Sequence, residues 1–282
     1  MGFVNEPFKW PELFCIFVPI SKNSAMNKLF TLLLLSLTSQ LLIAQPAVIA
    51  HRGSSFSAPE NTVAAAQLAW QQQADAVELD IYLTSDNRVM VMHDGNTKRT
   101  TGQSYKISET SSDVLRTLDA GSWKSDQYKG EKIPFLEEMI ATVPKGKKMV
   151  VEIKCGQEVF PALEKIVKKC GKKRQLVFIA FDWATIVMAK QIFPKNQCYW
   201  LSSSAAAVQE KIAEAVMNKM DGLNLNNKIV DEAIVKKAKE AGLEMLSWTV
   251  DDPAEAKRLV QLGVTGITTN RPDLIRQTIL LP

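Results

Sequence analysis

Only two histidines occur in the 282 residues, and each closes a short apolar run. His51 follows "AVIA" and precedes Arg52 and Gly53, while His93 closes "RVMVM" and precedes Asp94. An imidazole placed twice at the mouth of a strand is suited to proton transfer near neutral pH. Carboxylates stand in apolar company elsewhere: Glu78 and Asp80 alternate within "VELDIYL", and Glu152 alternates with Lys154 in "VVEIK". Alternate residues of a strand share a face, so each pair points one way. A carboxylate pair inside an apolar strand is costly unless a cation or donor compensates it.

The elements that carry these residues follow from periodicity. The runs "PAVIA", "DAVELDIYL", "KMVVEIK", "QLVFIAF", "CYWLS", "DGLNLN", "EMLSWTV" and "TGITTN" read as strands. Between most of them lie segments such as "DEAIVKKAKEAG" and "DPAEAKRLVQLG", with apolar residues at helical spacing and Gly at the end. Repeated β-then-α units mean parallel strands covered by helices, and eight of them predict a single closed (β/α)8 TIM barrel. No strand is followed by the G-x-G-x-x-G turn that a dinucleotide-binding open sheet would carry. "VELDIYL" and "RVMVM" are joined only by "TSDN", too short for a parallel crossover, so an antiparallel hairpin is expected. Pairing Leu83 with Arg88 would set Asp80 opposite Val91 and Glu78 opposite His93. Residues from about 95 to 147 add only short helices, in "SSDVLRTL" and "PFLEEMIATV". They are expected to form an insertion over the barrel mouth, where loops carry function.

The net charge of +4 is small. The basic clusters "KKCGKKR" and "KGKK" sit at expected element ends without interleaved aromatics, which gives nucleic-acid binding no support. Cys155, Cys170 and Cys198 remain once Cys15 is set aside with the leader; their spacing suits neither a disulfide framework nor a zinc site, and leaves any single bridge undetermined. Residues 26–44, "MNKLFTLLLLSLTSQLLIA", have the basic start and apolar centre of a secretory signal peptide, with cleavage expected near Ala44. Residues 1–25 read as neither signal nor domain, as a start assigned upstream of Met26 would produce. The leader thus covers 1–45 and the barrel 46–282. The mature protein is expected outside the cytoplasm, periplasmic or extracellular, without a stable membrane anchor.

The ordered set "HRG", "PENT", "ELD", "HD", "EIK" and a late "WTV" resembles the glycerophosphodiester phosphodiesterase family, within the phosphatidylinositol phospholipase C-like phosphodiesterase barrels. "KRTTG", "IPFLEEMI" and "GVTGITTNRPD" extend the resemblance from about Ala47 to Asp273. It implies metal-dependent hydrolysis of glycerophosphodiesters to glycerol 3-phosphate and an alcohol. It also implies one divalent cation held by Glu78, Asp80 and Glu152. Hard oxygen donors suit Ca²⁺ or Mg²⁺ and leave that choice open. Cleaving a phosphodiester needs a base for the nucleophile, an acid for the leaving alkoxide and positive charge on the phosphate. His51 and His93 suit the proton transfers; by analogy with the phospholipase C fold, His51 is the base and His93 the acid. Arg52 and Lys154 suit the anion. The attacking oxygen is either a substrate hydroxyl, giving a cyclic phosphate, or water.

Several residues have competing readings. Glu152 and Lys154 would also make sense as a simple ion pair along their strand. Glu60 and Asn61 read either as a cap on the helix that starts in "TVAAAQLAW" or as residues orienting His51 or Arg52; the second is preferred. Trp248 reads as substrate-pocket wall or as core. Asp94 reads as structural. Two other functions remain: a lysophospholipase D-type lipid phosphodiesterase whose insertion accepts an acyl chain, and a secreted binder of phosphorylated polyols without turnover. The second has no need of two proton carriers. The partner expected is a small glycerophosphodiester, and the sequence is silent on oligomeric state.

Overall fold

Each of the eight apolar runs forms a barrel strand in the computed structural model, which describes residues 45–280. The expected leader lies outside the described residues. The strands are β1 (Ala47–Ala50), β2 (Ala76–Leu83), β3 (Val89–Val91), β4 (Lys148–Ile153), β5 (Leu176–Ala180), β6 (Gln197–Ser202), β7 (Gly222–Asn226), β8 (Glu244–Trp248) and β9 (Gly266–Thr269). All but β3 pair in parallel, and β1 bonds to both β9 and β2, which closes the ring. The result is an eight-stranded TIM barrel with helices between successive strands.

Helix starts follow local capping chemistry. Thr62, Asp182, Ser204, Asp231 and Asp252 each accept a backbone N–H of the first turn, and Pro253 opens the helix Pro253–Leu262 where its missing N–H is harmless. Strand alternation then divides the apolar residues into two layers. Val48, Val77, Leu79, Val151, Phe178 and Leu223 face the helices, whereas Ile49, Val150, Val177, Ile179, Leu201 and Leu246 fill the barrel. Glu78 and Asp80 share the inward face with this second set, and the β2–β4 register sets Asp80 beside Glu152.

Two expectations need correction. β2 and β3 do form an antiparallel hairpin, but the pairs are Leu83 with Val89 and Ile81 with Val91, one residue away from the expected register. The loop is three residues rather than four: Thr84 pairs with Arg88, and Asn87 takes φ 58°, the left-handed conformation that Asn tolerates and such loops need. A one-residue slip reverses the face that each side chain takes. Pairing with Glu78 is therefore not what brings His93 inward; the strand ends at Val91 and the chain bends over the mouth.

The segment after His93 is also divided. Ile107, Leu115, Leu118 and Ile133 build a small separate core against Met90 and Met92. Lys124 Nζ and Tyr128 OH donate to the carbonyls of Ser55 and Ser57, tying this part to the loop after β1. The helix Leu136–Thr142, by contrast, packs into the outer layer beside the helix Val63–Gln71 and belongs to the barrel itself. Cys155, Cys170 and Cys198 are all free thiols.

Candidate active site

The C-terminal ends of the strands converge on a cavity of about 170 Å³. His51, Arg52, Glu78, His93, Glu152, Lys154 and Trp248 all line it, and Asp80 lies buried against it. The turn after β1 does much of the positioning. Arg52 and Gly53 both adopt positive φ, 56° and 83°, which reverses the chain at once. The Arg52 backbone N–H thereby donates to Glu78 Oε2 at 2.9 Å, and its Nη1 donates to Glu60 Oε1 at 3.0 Å. Asn61 brackets Asp80, donating from Nδ2 to Oδ2 at 2.8 Å and accepting the Asp80 backbone N–H at 3.2 Å. The helix cap is Thr62, so Glu60 serves Arg52 while Asn61 serves Asp80.

Glu78, Asp80 and Glu152 each offer a carboxylate oxygen within 4.8 Å of the others. Two cations reach the group: Lys154 Nζ lies 3.0 Å from Glu152 and 3.7 Å from Asp80, and Arg52 Nε lies 3.5 Å from Asp80. Three carboxylates against two cations leave the cluster short of positive charge. Burial, then repulsion from Asp80 and Glu152, pushes the Glu78 carboxyl well above the usual range. Burial and Glu152 push Asp80 up to about 6, and burial raises Glu152 despite Lys154. Glu78 Oε1 has no hydrogen-bond partner among the described residues. A buried, mutually repelling set of oxygen donors with one oxygen unmatched fits a divalent cation of the Ca²⁺ or Mg²⁺ type.

The histidines are oriented by residues outside the expected set of site residues. Asp251 can only accept; it takes Asn270 Nδ2 at 2.6 Å, the Asn270 backbone N–H at 2.8 Å and the Thr269 hydroxyl at 2.9 Å. That contact turns the Asn270 amide so that Oδ1 faces His51 Nδ1 at 2.7 Å. Nδ1 must then carry the proton, which assigns the lone pair to Nε2, 4.0 Å from Glu78 Oε2. Burial, then Arg52, lowers His51 to about 4 and keeps it neutral at pH 7. His93 Nδ1 lies 2.7 Å from Asp94 Oδ1, and its Nε2 lies 3.3 Å from Lys154 Nζ. Arg99 grips Asp94 and Glu60 together, linking the support of His93 to that of Arg52.

Arg99, Asp251 and Asn270 are thus additions to the residues read from sequence, while Asp94, read there as structural, hydrogen-bonds His93. "KRTTG" and "TTNRPD" held the signal for two of them, without indicating which side chain mattered. On the opposite wall, Trp248 stands edge-on to Phe181 with centroids 5.4 Å apart, and its indole N–H donates to Asn224 O at 3.0 Å.

Known proteins share this arrangement of chain. The model of the glycerophosphoryl diester phosphodiesterase family matches residues 51–274. Glycerophosphodiester phosphodiesterases of Bacillus subtilis and Caldanaerobacter subterraneus are each 30% identical; each alignment covers 81% of this chain, with 85% and 95% of the relative. A phosphodiesterase of Oleispira antarctica, solved with the product sn-glycerol-3-phosphate, superposes with a TM-score of 0.78 at 33% identity, covering 83% of this chain and 97% of that one. The family match extends from His51 past Asn270, through every barrel strand after β1, and the chain belongs to the glycerophosphoryl diester phosphodiesterase family of phosphodiester hydrolases.

Proposed function

We propose that the chain hydrolyses glycerophosphodiesters to glycerol 3-phosphate and an alcohol by proton transfers at His51 and His93, with a divalent cation held by Glu78, Asp80 and Glu152. The observation that carries this reading is the pair of imidazoles lining one cavity with a buried carboxylate group. Arg52 and Lys154 stand where they can neutralise a phosphate. His51, neutral and with its lone pair on Nε2, takes the proton from the attacking oxygen. His93, once protonated at Nε2, gives that proton to the departing alkoxide while Asp94 holds Nδ1–H. When bound, the cation supplies Lewis-acid stabilisation of charge on the phosphate and Mg²⁺ or Ca²⁺ is the fitting choice.

The product seen in the Oleispira antarctica structure supports a glycerol-phosphate ligand for this site. A binder that captures phosphorylated polyols has no use for two oriented imidazoles. Steady-state release of glycerol 3-phosphate from diesters with several headgroups tests the proposal, before and after chelation. Turnover that stops with chelator and returns with Mg²⁺ or Ca²⁺ is the expected result. Ligand binding without turnover under any metal would refute hydrolysis, and full turnover in verified metal-free protein would refute the cation. The signal-like segment 26–44 supports export as the location, and among the described residues no helix is long and apolar enough to cross a membrane.

A further inference from the structure

The three most exposed aromatic side chains among the described residues are Phe56 at 58%, Phe181 at 46% and Trp123 at 40%. Single apolar residues on a surface are ordinary, but these three share one end of the barrel. Phe56 lies in the connection that leaves β1, and Phe181 directly follows β5 and lines the cavity. Trp123 belongs to the segment after His93, which Lys124 and Tyr128 tie to the loop after β1. Two cations stand beside these rings. Lys124 Nζ donates to the carbonyl of Ser55, the residue before Phe56, at 2.8 Å and lies 5.8 Å from the centre of the Trp123 ring. The Arg271 guanidinium lies 4.4 Å over the Phe56 ring. Neither cation forms a salt bridge among the described residues. The Trp123 N–H already donates to Ala120 O at 2.8 Å, so its exposed ring needs no polar partner. The rim offers apolar surface flanked by unpaired positive charge.

We propose that this rim docks the mouth of the barrel reversibly on an anionic lipid bilayer, with Phe56 and Trp123 entering the headgroup layer and Lys124 and Arg271 meeting lipid phosphates. Aromatic rings favour the boundary between membrane and water, and cations beside them add attraction to anionic lipid. The area argues for lipid over a second protein. Phe56 and Trp123 together expose on the order of 200 Å² of ring. A stable interface between proteins buries ~800 Å² per partner, more than half of it apolar, so these rings alone are too little to hold one. A bilayer makes no such demand, because lipid closes around each ring separately. Two rings and two cations give a weak hold, which suits reversible attachment without an anchor. Phe181 continues the apolar surface from the rim into the cavity. Docking thus brings the opening to the surface where removal of both acyl chains from a phospholipid releases glycerophosphodiesters.

The test is co-sedimentation of the full chain with vesicles of phosphatidylcholine alone and of equal parts phosphatidylcholine and phosphatidylglycerol. Wild type should partition onto the mixed vesicles in preference to the neutral ones, and less so as salt is raised. Phe56→Ser and Trp123→Ser should each weaken partitioning by roughly 3- to 10-fold. Lys124→Gln should weaken it by roughly fivefold on the mixed vesicles and leave the neutral ones unchanged. On soluble glycerophosphoglycerol, the two serine variants should keep kcat/KM within about twofold of wild type. Segment 26–44 is common to every variant, and amide exchange read by mass spectrometry separates its contribution: mixed vesicles should slow exchange in residues 54–58 and 120–126. Absence of wild-type partitioning onto mixed vesicles would overturn the proposal. So would equal partitioning of wild type and serine variants, or protection confined to other segments. Loss of activity on the soluble diester in parallel with vesicle binding would place the rings in the substrate site, and a dimer that the serine variants dissolve would make a second copy the partner; either result overturns bilayer docking. Partitioning needs no turnover, so failure of the proposed hydrolysis would leave this comparison intact.

Discussion

Replacing Gly53 with alanine tests the turn that sets both His51 and Arg52. Gly53 has φ 83°, and a Cβ built there would lie 2.6 Å from the Ala65 carbonyl carbon, 2.6 Å from its Cβ and 2.8 Å from its oxygen. Ala65 sits in the first turn of the helix Val63–Gln71, anchored by the Thr62 cap, so the obstructing backbone has little room to yield. Two costs add: about 1–2 kcal/mol for a left-handed non-glycine residue, and about 1–3 kcal/mol for forcing atoms into a packed contact. Gly242 isolates the first of these, since its φ is 73° and nothing lies within 4 Å of a Cβ there. Thermal unfolding should therefore place Gly53→Ala roughly 2–5 kcal/mol below wild type and Gly242→Ala about 1–2 below. At about 2–4 °C per kcal/mol for a domain of this size, the first variant melts clearly lower than the second. Ala65→Gly should not restore stability, because two of the three close atoms are backbone. Gly53→Ala should also lose activity well below its melting temperature, as the Arg52 N–H moves off Glu78. Equal melting shifts in the two variants, or rescue by Ala65→Gly, would refute the reasoning.

Loss of either histidine should lower kcat by ~10² to 10⁴, with less than multiplicative loss in the double variant. A nitrophenyl ester, whose alcohol leaves without protonation, should rescue His93→Ala and not His51→Ala; the reverse pattern would exchange the roles. In chelator-treated protein, Asp80 should make stability depend on pH. Its folded-state value is raised from 3.8 to about 6, so the folded protein favours the protonated acid, and the stability this gives is lost as pH rises from about 4 through about 6. Asp80→Asn should then be more stable than wild type at pH 8 by up to about 3 kcal/mol, shrinking toward pH 4, with the order reversing when Mg²⁺ or Ca²⁺ is added. Denaturant titrations at both pH values, with and without metal, measure this. Mass spectrometry of the exported protein should find an N-terminus near Ala44; an intact Met1 or Met26 would count against export with cleavage.

The sequence by itself determined the eight strands, their parallel order and the hairpin, because hydrophobic periodicity and short connections are local properties of the chain. It also exposed Glu78, Asp80, Glu152 and the two histidines, since polar groups at inward strand positions interrupt an otherwise apolar pattern. What it left undecided needs atoms from distant strands. The hairpin register turned on whether Asn87 enters the left-handed region, a choice between a three- and a four-residue loop that the residue types alone do not settle. Asn270 reaches His51 only because β9 pairs with β1 when the barrel closes, 219 residues apart in sequence. Asn224 and Thr268 read as ordinary strand residues until that same closure turns them inward to line one cavity with Trp248. Periodicity says which face of a strand is buried; only the closed ring decides which side chains meet across its centre, because that depends on the relative register of all eight strands at once.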